Sequence, residues 1–347
     1  MEHSKRCRRL LGGERLHFPC LWNLDNHSHS RQYPGTATLT VNAGSLYNLI
    51  VTLTPSTITA GSSTTATDVG YDNQGNSLGS EASSTTWNIQ FGARGSWSSN
   101  VYTSSKSGSW IVTATVGSVQ DSATLTVNVG SLYRLSITIT PSAVTAGSTT
   151  TATDVGYDSQ GNSLGSETTS TAWSISSGAG GSWSTNVYTS HASGTWTVTG
   201  ADGGVQGTVT LTVNRGSLYS LIVSMSPGSV TAGSTSIGTA TGYDSQGNNL
   251  GTETASWSLS PSAGGSWDSN VYTSKYAGSW TVNAAVDGIQ GTATLTVNAG
   301  SLSYITVSPS LANIFAAGNV TFTSTAYDNQ GNNLGVSPLK REFLKVD

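Results

Sequence analysis

The sequence is poor in charge, cysteine and histidine, and each shortage removes a class of function. Only 9% of its 347 residues are Asp, Glu, Lys or Arg, whereas Thr, Ser and Gly abound and there are 10 tryptophans. A disordered chain shows the opposite balance, much charge and few aromatics, so this composition argues for folded β-structure. Thr, Val, Tyr and Trp favour strands. Cysteine is confined to Cys7 and Cys20; beyond them no disulfide can staple the chain, and stability has to come from cores that a chain of this length can build. No apolar run approaches the roughly 18 residues of a membrane helix, so no span is expected in this chain.

Basic residues are unevenly placed. Six of the 14 Lys and Arg residues (Lys5, Arg6, Arg8, Arg9, Arg15, Arg31) precede residue 34, and the formal net charge is -4. The mildly acidic remainder lacks the basic stripe that contacts phosphates, so nucleic acid is not an expected partner. The opening segment continues Leu10, Leu11, Gly12, Gly13, Glu14, too short and too polar for a signal-peptide core.

What is present is a repeat. The glycines Gly44, Gly130, Gly216 and Gly300 are 86, 86 and 84 residues apart, and Asp72, Asp158, Asp244 and Asp328 keep the same steps within the segment YD-x-Q-G-N. The pairs Trp87 and Trp97, Trp173 and Trp183, Trp257 and Trp267 hold a spacing of 10. The two missing residues fall in the loop between Asp244 and Trp257, and a change of length confined to a loop is what a packed repeat tolerates. Three full copies result, 44–129, 130–215 and 216–299. Residues 34–43 match the last strand of a copy, and 300–347 begin a truncated one that lacks every Trp strand and is therefore expected to pack poorly. Residues 1–33 follow no period and are read as disordered, or as a misassigned start or frame error rather than a domain.

Within a copy the pattern is that of strands. Leu135, Ile137 and Ile139 alternate with Ser136, Thr138 and Thr140 before Pro141; Trp173 and Ile175, Trp196 and Val198, and Leu211 and Val213 alternate with Ser and Thr likewise. One apolar and one hydroxyl-bearing face per strand is the mark of antiparallel sheets that share a core and wet their outsides. The stretch TTATDVGYD before Asp158 alternates poorly, so its inward face stays open. Asp158 and Gly161 occupy the first and fourth positions of a type I turn, Asp capping through its side chain and Gly taking the positive φ that comes next. No helical period occurs, and the fold class is all-β, tandem sandwiches of about seven strands each.

The segments YDSQGNSLG at 157–165, NVYTSHASGTWTVTG at 186–200 and TVTLTVN at 208–214 resemble the prokaryotic immunoglobulin-like repeats of the Big and invasin/intimin type, over residues 35 to about 335. The resemblance implies an immunoglobulin-like fold and a non-catalytic stalk or adhesive role at the cell surface or outside the cell. Relative to full-length members an export signal, an anchor and a tip domain are lacking, so the chain is expected to be a fragment.

Catalysis is not expected. The copies hold one histidine, His191, whose counterparts are Ser105 and Lys275, and no nucleophile and acid accompany it. The set Cys7, Cys20, His27 and His29 lacks the short C-x2-C spacing of structural zinc sites. The recurring Asp72, Asp158 and Asp244 with Glu81, Glu167 and Glu253 supply few charged oxygens for calcium, and the turn already accounts for the aspartates; no cofactor is expected, with calcium as the alternative. Trp97, Trp183 and Trp267 come after glycine-rich loops (GARGSW, GAGGSW, SAGGSW). They are the candidate platforms for stacking on a ligand in the alternative reading, a carbohydrate- or protein-binding module, alone or attached to an enzyme encoded elsewhere, with surface glycans or other surface proteins as partners, although burial is the more favourable fate of a large ring. Adjacent copies are joined by few residues, and strands of this length at about 3.3 Å per residue put a copy at about 40 Å and three at about 120 Å, the dimensions of a semi-rigid spacer.

Overall fold

The computed structural model describes residues 16–20, 35–315 and 318–337. The first strand, β1 (Leu16–Cys20), pairs antiparallel with β2 (Gly35–Leu39). The partner of the expected GTATL strand thus comes from the opening segment, where Pro19 within LHFPC hides any strand period, proline being confined to sheet edges. The potential zinc ligands Cys7, His27 and His29 and the side chain of Cys20 lie outside the described residues, as does 338–347.

The first repeat contains nine strands: β3 (Asn48–Thr54), β4 (Thr57–Thr59), β5 (Ser63–Tyr71), β6 (Ser77–Gly79), β7 (Thr86–Ile89), β8 (Gly95–Ser98), β9 (Val101–Ser104), β10 (Gly108–Val116) and β11 (Val119–Asn128). One sheet has the order β4-β11-β10-β7 and the other β3-β5-β9-β8, with β6 on β5. Pairing is antiparallel except between β4 and β11, which run parallel. This is the strand order of an immunoglobulin sandwich, four strands facing three, with β4 added beside the last strand. The count exceeds seven because β4 and β6 are three residues each, too short for alternation to reveal. The same order recurs in the second and third repeats. The one helical element among the described residues is a 3-10 turn, Pro261–Ala263, and no helix there is long and apolar enough to cross a membrane, a statement that does not extend to β-barrels.

The core of the first repeat gathers Leu53, Ile58, Tyr102, Val112, Leu125 and Val127 from both sheets, and the second and third repeats have clusters of their own at matching positions. The strand whose inward face the sequence leaves open turns Thr64, Ala66, Asp68 and Gly70 inward. It alternates poorly to the eye because its buried side chains are small or polar and are satisfied by distant partners. Thr64 Oγ1 donates to Pro55 O at 2.7 Å, and Asp68 Oδ1 accepts from Glu81 N at 3.0 Å.

By packing, the described chain divides into two compact units, one of Met1–Ser136 with Asp154–Thr171 and Ala201–Gly207, the other of Ile137–Thr153, Ala172–Gly200 and Thr208–Asp347. The division runs through the second repeat, whose core cluster lies wholly in the second unit. After the third repeat, Leu302–Ser308, Thr323–Asp328 and Asn333–Val336 form a single three-stranded sheet.

Candidate functional site

Two constellations recur in every full copy: a turn that takes hold of the preceding linker, and a stack of aromatic rings between the sheets. The turn begins where β5 ends. Asp72 N donates to Asn76 O and Gly75 N to Asp72 O, each at 3.0 Å, and Gly75 adopts φ +83, a conformation that favours glycine. The Asp72 side chain is consumed on both oxygens. Oδ1 accepts from Gln74 N at 2.9 Å and Asn76 N at 2.8 Å, while Oδ2 accepts from Asn76 Nδ2 at 2.8 Å and from the linker amide Gly44 N at 2.9 Å.

The linker bond recurs at every copy: Gly130 N to Asp158 at 2.9 Å, Gly216 N to Asp244 at 2.8 Å and Gly300 N to Asp328 at 2.7 Å. The approach is close. A Cβ on Gly130 would sit 3.1 Å from Asp158 Cβ, which accounts for glycine at the linker. Hydrogen bonds from the Asn76 side chain, the Gly44 amide and the other turn amides hold the Asp72 carboxyl well below the usual carboxylate range, against the upward push of burial. For Asp158, Asp244 and Asp328 burial pushes upward most strongly, but the linker amide, the Asn side chain and two turn amides together outweigh it and leave each carboxyl lowered.

The aromatic stack joins the sheets. Trp97, on β8 of one sheet, lies over Trp87, on β7 of the other, with ring centroids 6.0 Å apart and planes at 23°, and tilts against Tyr102 at 5.0 Å. Trp183 repeats this with Trp173 and Tyr188, and Trp267 with Trp257 and Tyr272 at 5.3 and 5.0 Å. All three loop tryptophans are half-buried, packed against the cores, and their indole nitrogens are buried without an acceptor. The glycine before the Ser-Trp of each loop is dictated by the neighbouring strand. Gly95 has φ +139, and a Cβ there would meet Thr103 O at 2.3 Å. The tyrosines are the residues that sequence reasoning missed. Tyr102, Tyr188 and Tyr272 are 1% exposed, burial pushes their phenols up, and Tyr102 donates to Arg94 O at 2.7 Å. Their recurrence in the segment VYTS, each at the same distance before Trp110, Trp196 or Trp280, was the available signal.

Glu81 Oε2 accepts from Ser84 Oγ at 3.4 Å, and among the described residues no three His, Cys, Asp or Glu side chains converge as a metal site.

No family model matches the sequence, and no curated protein matches it. Among solved structures the chain is similar to FdeC, an Escherichia coli adhesin, at 21% sequence identity over 74% of this chain and 100% of that one, with a TM-score of 0.37. It is similar to domains 1–6 of the surface layer protein SbsC at 19% identity over 88% of this chain and 47% of that one, TM-score 0.26. Invasin, a bacterial integrin-binding protein, shares 17% identity over 76% of this chain and 62% of that one, TM-score 0.36. The chain thus spans less than two thirds of the SbsC and invasin structures.

Proposed function

We propose that this chain is a non-catalytic spacer, a run of repeats of the Big or invasin/intimin type belonging to a prokaryotic cell-surface or adhesin-like protein and working outside the cell. One observation carries the reading: at all four repeat starts the linker glycine gives its N–H to the carboxylate of the next turn. A linker tied to its own repeat by a charge-assisted bond has few conformations left, which is what an element that keeps a distance requires. The Ser/Thr faces of the strands suit a hydrated, glycan-bearing exterior.

A second reading, a glycan- or protein-binding module, draws on an asymmetry among the copies. Phe91 and Ile111 are exposed on the first repeat, where the other copies have Ser177 and Thr197 or Pro261 and Thr281. Trp97, Trp183 and Trp267, packed against the cores but not fully buried, are its stacking candidates. Small-angle scattering of the full chain tests the spacer. Its expected maximum dimension is at least about 120 Å, whereas a radius of gyration near the roughly 20 Å of one globule of this length overturns it. Saturable quenching of tryptophan fluorescence by soluble oligosaccharides moves the weight to the second reading.

A further inference from the structure

The turn at each repeat start needs its Asp and its Gly, yet Gln and Asn recur beside them in all four copies, at Gln74 and Asn76, Gln160 and Asn162, Gln246 and Asn248, and Gln330 and Asn332. Within the turn the Asn side chain bonds from Nδ2 to the Asp carboxylate, in Asn248 to both of its oxygens. Its remaining capacity goes to the repeat before. Asn162 Oδ1 accepts from Ser107 N at 2.9 Å, and its Nδ2 donates to Ser105 O at 2.9 Å, both on the loop that leads into β10. Asn248 makes the same pair with Ser193 N at 2.7 Å and His191 O at 3.0 Å. Asn332 makes it with Ala277 N at 2.6 Å and Lys275 O at 3.0 Å. Gln160 lies against Gly61 of the same preceding repeat, where a Cβ would sit 3.3 Å from its Nε2, and Gly61 N in turn donates to Ser104 O at the start of the contacted loop at 2.9 Å; Gln246 against Gly147 and Gln330 against Gly233 are placed alike at 3.1 Å. The segment Asp154–Thr171, which carries the Asp158–Asn162 turn, belongs to the same compact unit as the first repeat.

We propose that the D-x-Q-G-N turn is a docking key by which a repeat seats on the trailing loop of a preceding repeat of the same kind, and that the key reads main-chain atoms only. A carboxamide is suited to this because it offers a donor and an acceptor from one side chain, which neither a carboxylate nor an ammonium can do. Reading the main chain explains why the contacted positions vary freely, Ser105, His191 and Lys275 at one and Ser107, Ser193 and Ala277 at the other, while the geometry stays constant. Asn76 carries the same key, and among the described residues its side chain bonds only to its own Asp72. The partner that this surface fits is therefore the trailing loop of one more repeat.

Amide exchange by NMR on the full chain tests the key, and scattering tests the spacer; either can fail alone. Asn162→Ala is expected to accelerate exchange at Ser107 by about fivefold to tenfold and to leave Ser193 and Ala277 unchanged. Asn76→Ala, which removes only the bond within a turn, leaves all three unchanged. Gln160→Ala, whose side chain makes no bond within its own turn, accelerates Ser107 by about twofold and covers the case in which Asn162→Ala does not fold. The double variant Ser105→Lys with Ser107→Ala, which gives the first junction the residues of the third, keeps full protection at position 107. Unchanged Ser107 exchange in both the Asn162 and Gln160 variants overturns the key, and lost protection in the double variant overturns main-chain reading.

Discussion

The third repeat and the single sheet after it begin alike and end differently. Ser220–Ser226 and Leu302–Ser308 are first strands of equal length, each paired antiparallel with the strand that leads into a D-x-Q-G-N turn. The two turns make the same bonds to Asp244 and Asp328. Yet Leu221 is 8% exposed and its counterpart Ile305 is 45% exposed. The third repeat faces its first sheet with a second, in the order Ser229–Thr231, Ile289–Asn298, Gly278–Val286, Ser256–Leu259, whereas among the described residues 300–337 form one sheet only. Pairing and turn chemistry are local and survive alone; burial is a property of two sheets.

The largest effect should come from loosening the third repeat toward the state of that lone sheet. Trp267 fills the gap between sheets against Trp257 and Tyr272, so Trp267→Ala should destabilise that repeat by about 3–5 kcal/mol. The measure is exchange protection at Leu221 and Val282, with Ile305 unmoved. In the unaltered chain the same comparison predicts that amides of Ile305 and Val307 exchange at least about a hundredfold faster than those of Leu221 and Val223; equal protection would remove the distinction between one sheet and two. The smallest effect is one the two regions should share. The carboxyls of Asp244 and Asp328 are both lowered, so the stability they contribute is complete above the unfolded carboxylate value of about 4 and is lost as pH falls through the lower folded value. Thermal melts should be flat in this respect from about pH 8 to 5 and decline below about pH 4, with Asp244→Asn removing the share of the third repeat. A decline centred near neutrality would contradict the assignment.

The parts of the molecule legible in the sequence are those in which neighbours along the chain determine the outcome. The period, the alternation around Ile139 and Val213, and the Asp158 and Gly161 turn could all be read without coordinates, and the expectation of all-β sandwiches holds in the structure. What was hidden depends on partners far away in sequence. Thr64 and Asp68 look misplaced on an inward face until Pro55 O and Glu81 N are seen beside them. Trp97 could be weighed between ligand and core, but only its approach to Trp87 and Tyr102 shows which rings it touches. The second half of the Asn162 side chain's bonding lies 55 and 57 residues back. Its recurrence in four turns was visible; its bonds outside its own turn were not.

The parallel pairing of β4 with β11 bears on how a repeat answers to mechanical tension. Thr57, Ile58 and Thr59, close to where the chain enters, lie beside Thr126, Val127 and Asn128, where it leaves, and the main-chain bonds Thr126 N to Ser56 O and Ala60 N to Asn128 O close both ends of this patch at 2.9 Å. A pull on the two linkers draws these strands in opposite senses along their own length. The bonds between them are then strained together in shear rather than unzipped one by one, and the strand that completes the sandwich also works as its mechanical latch.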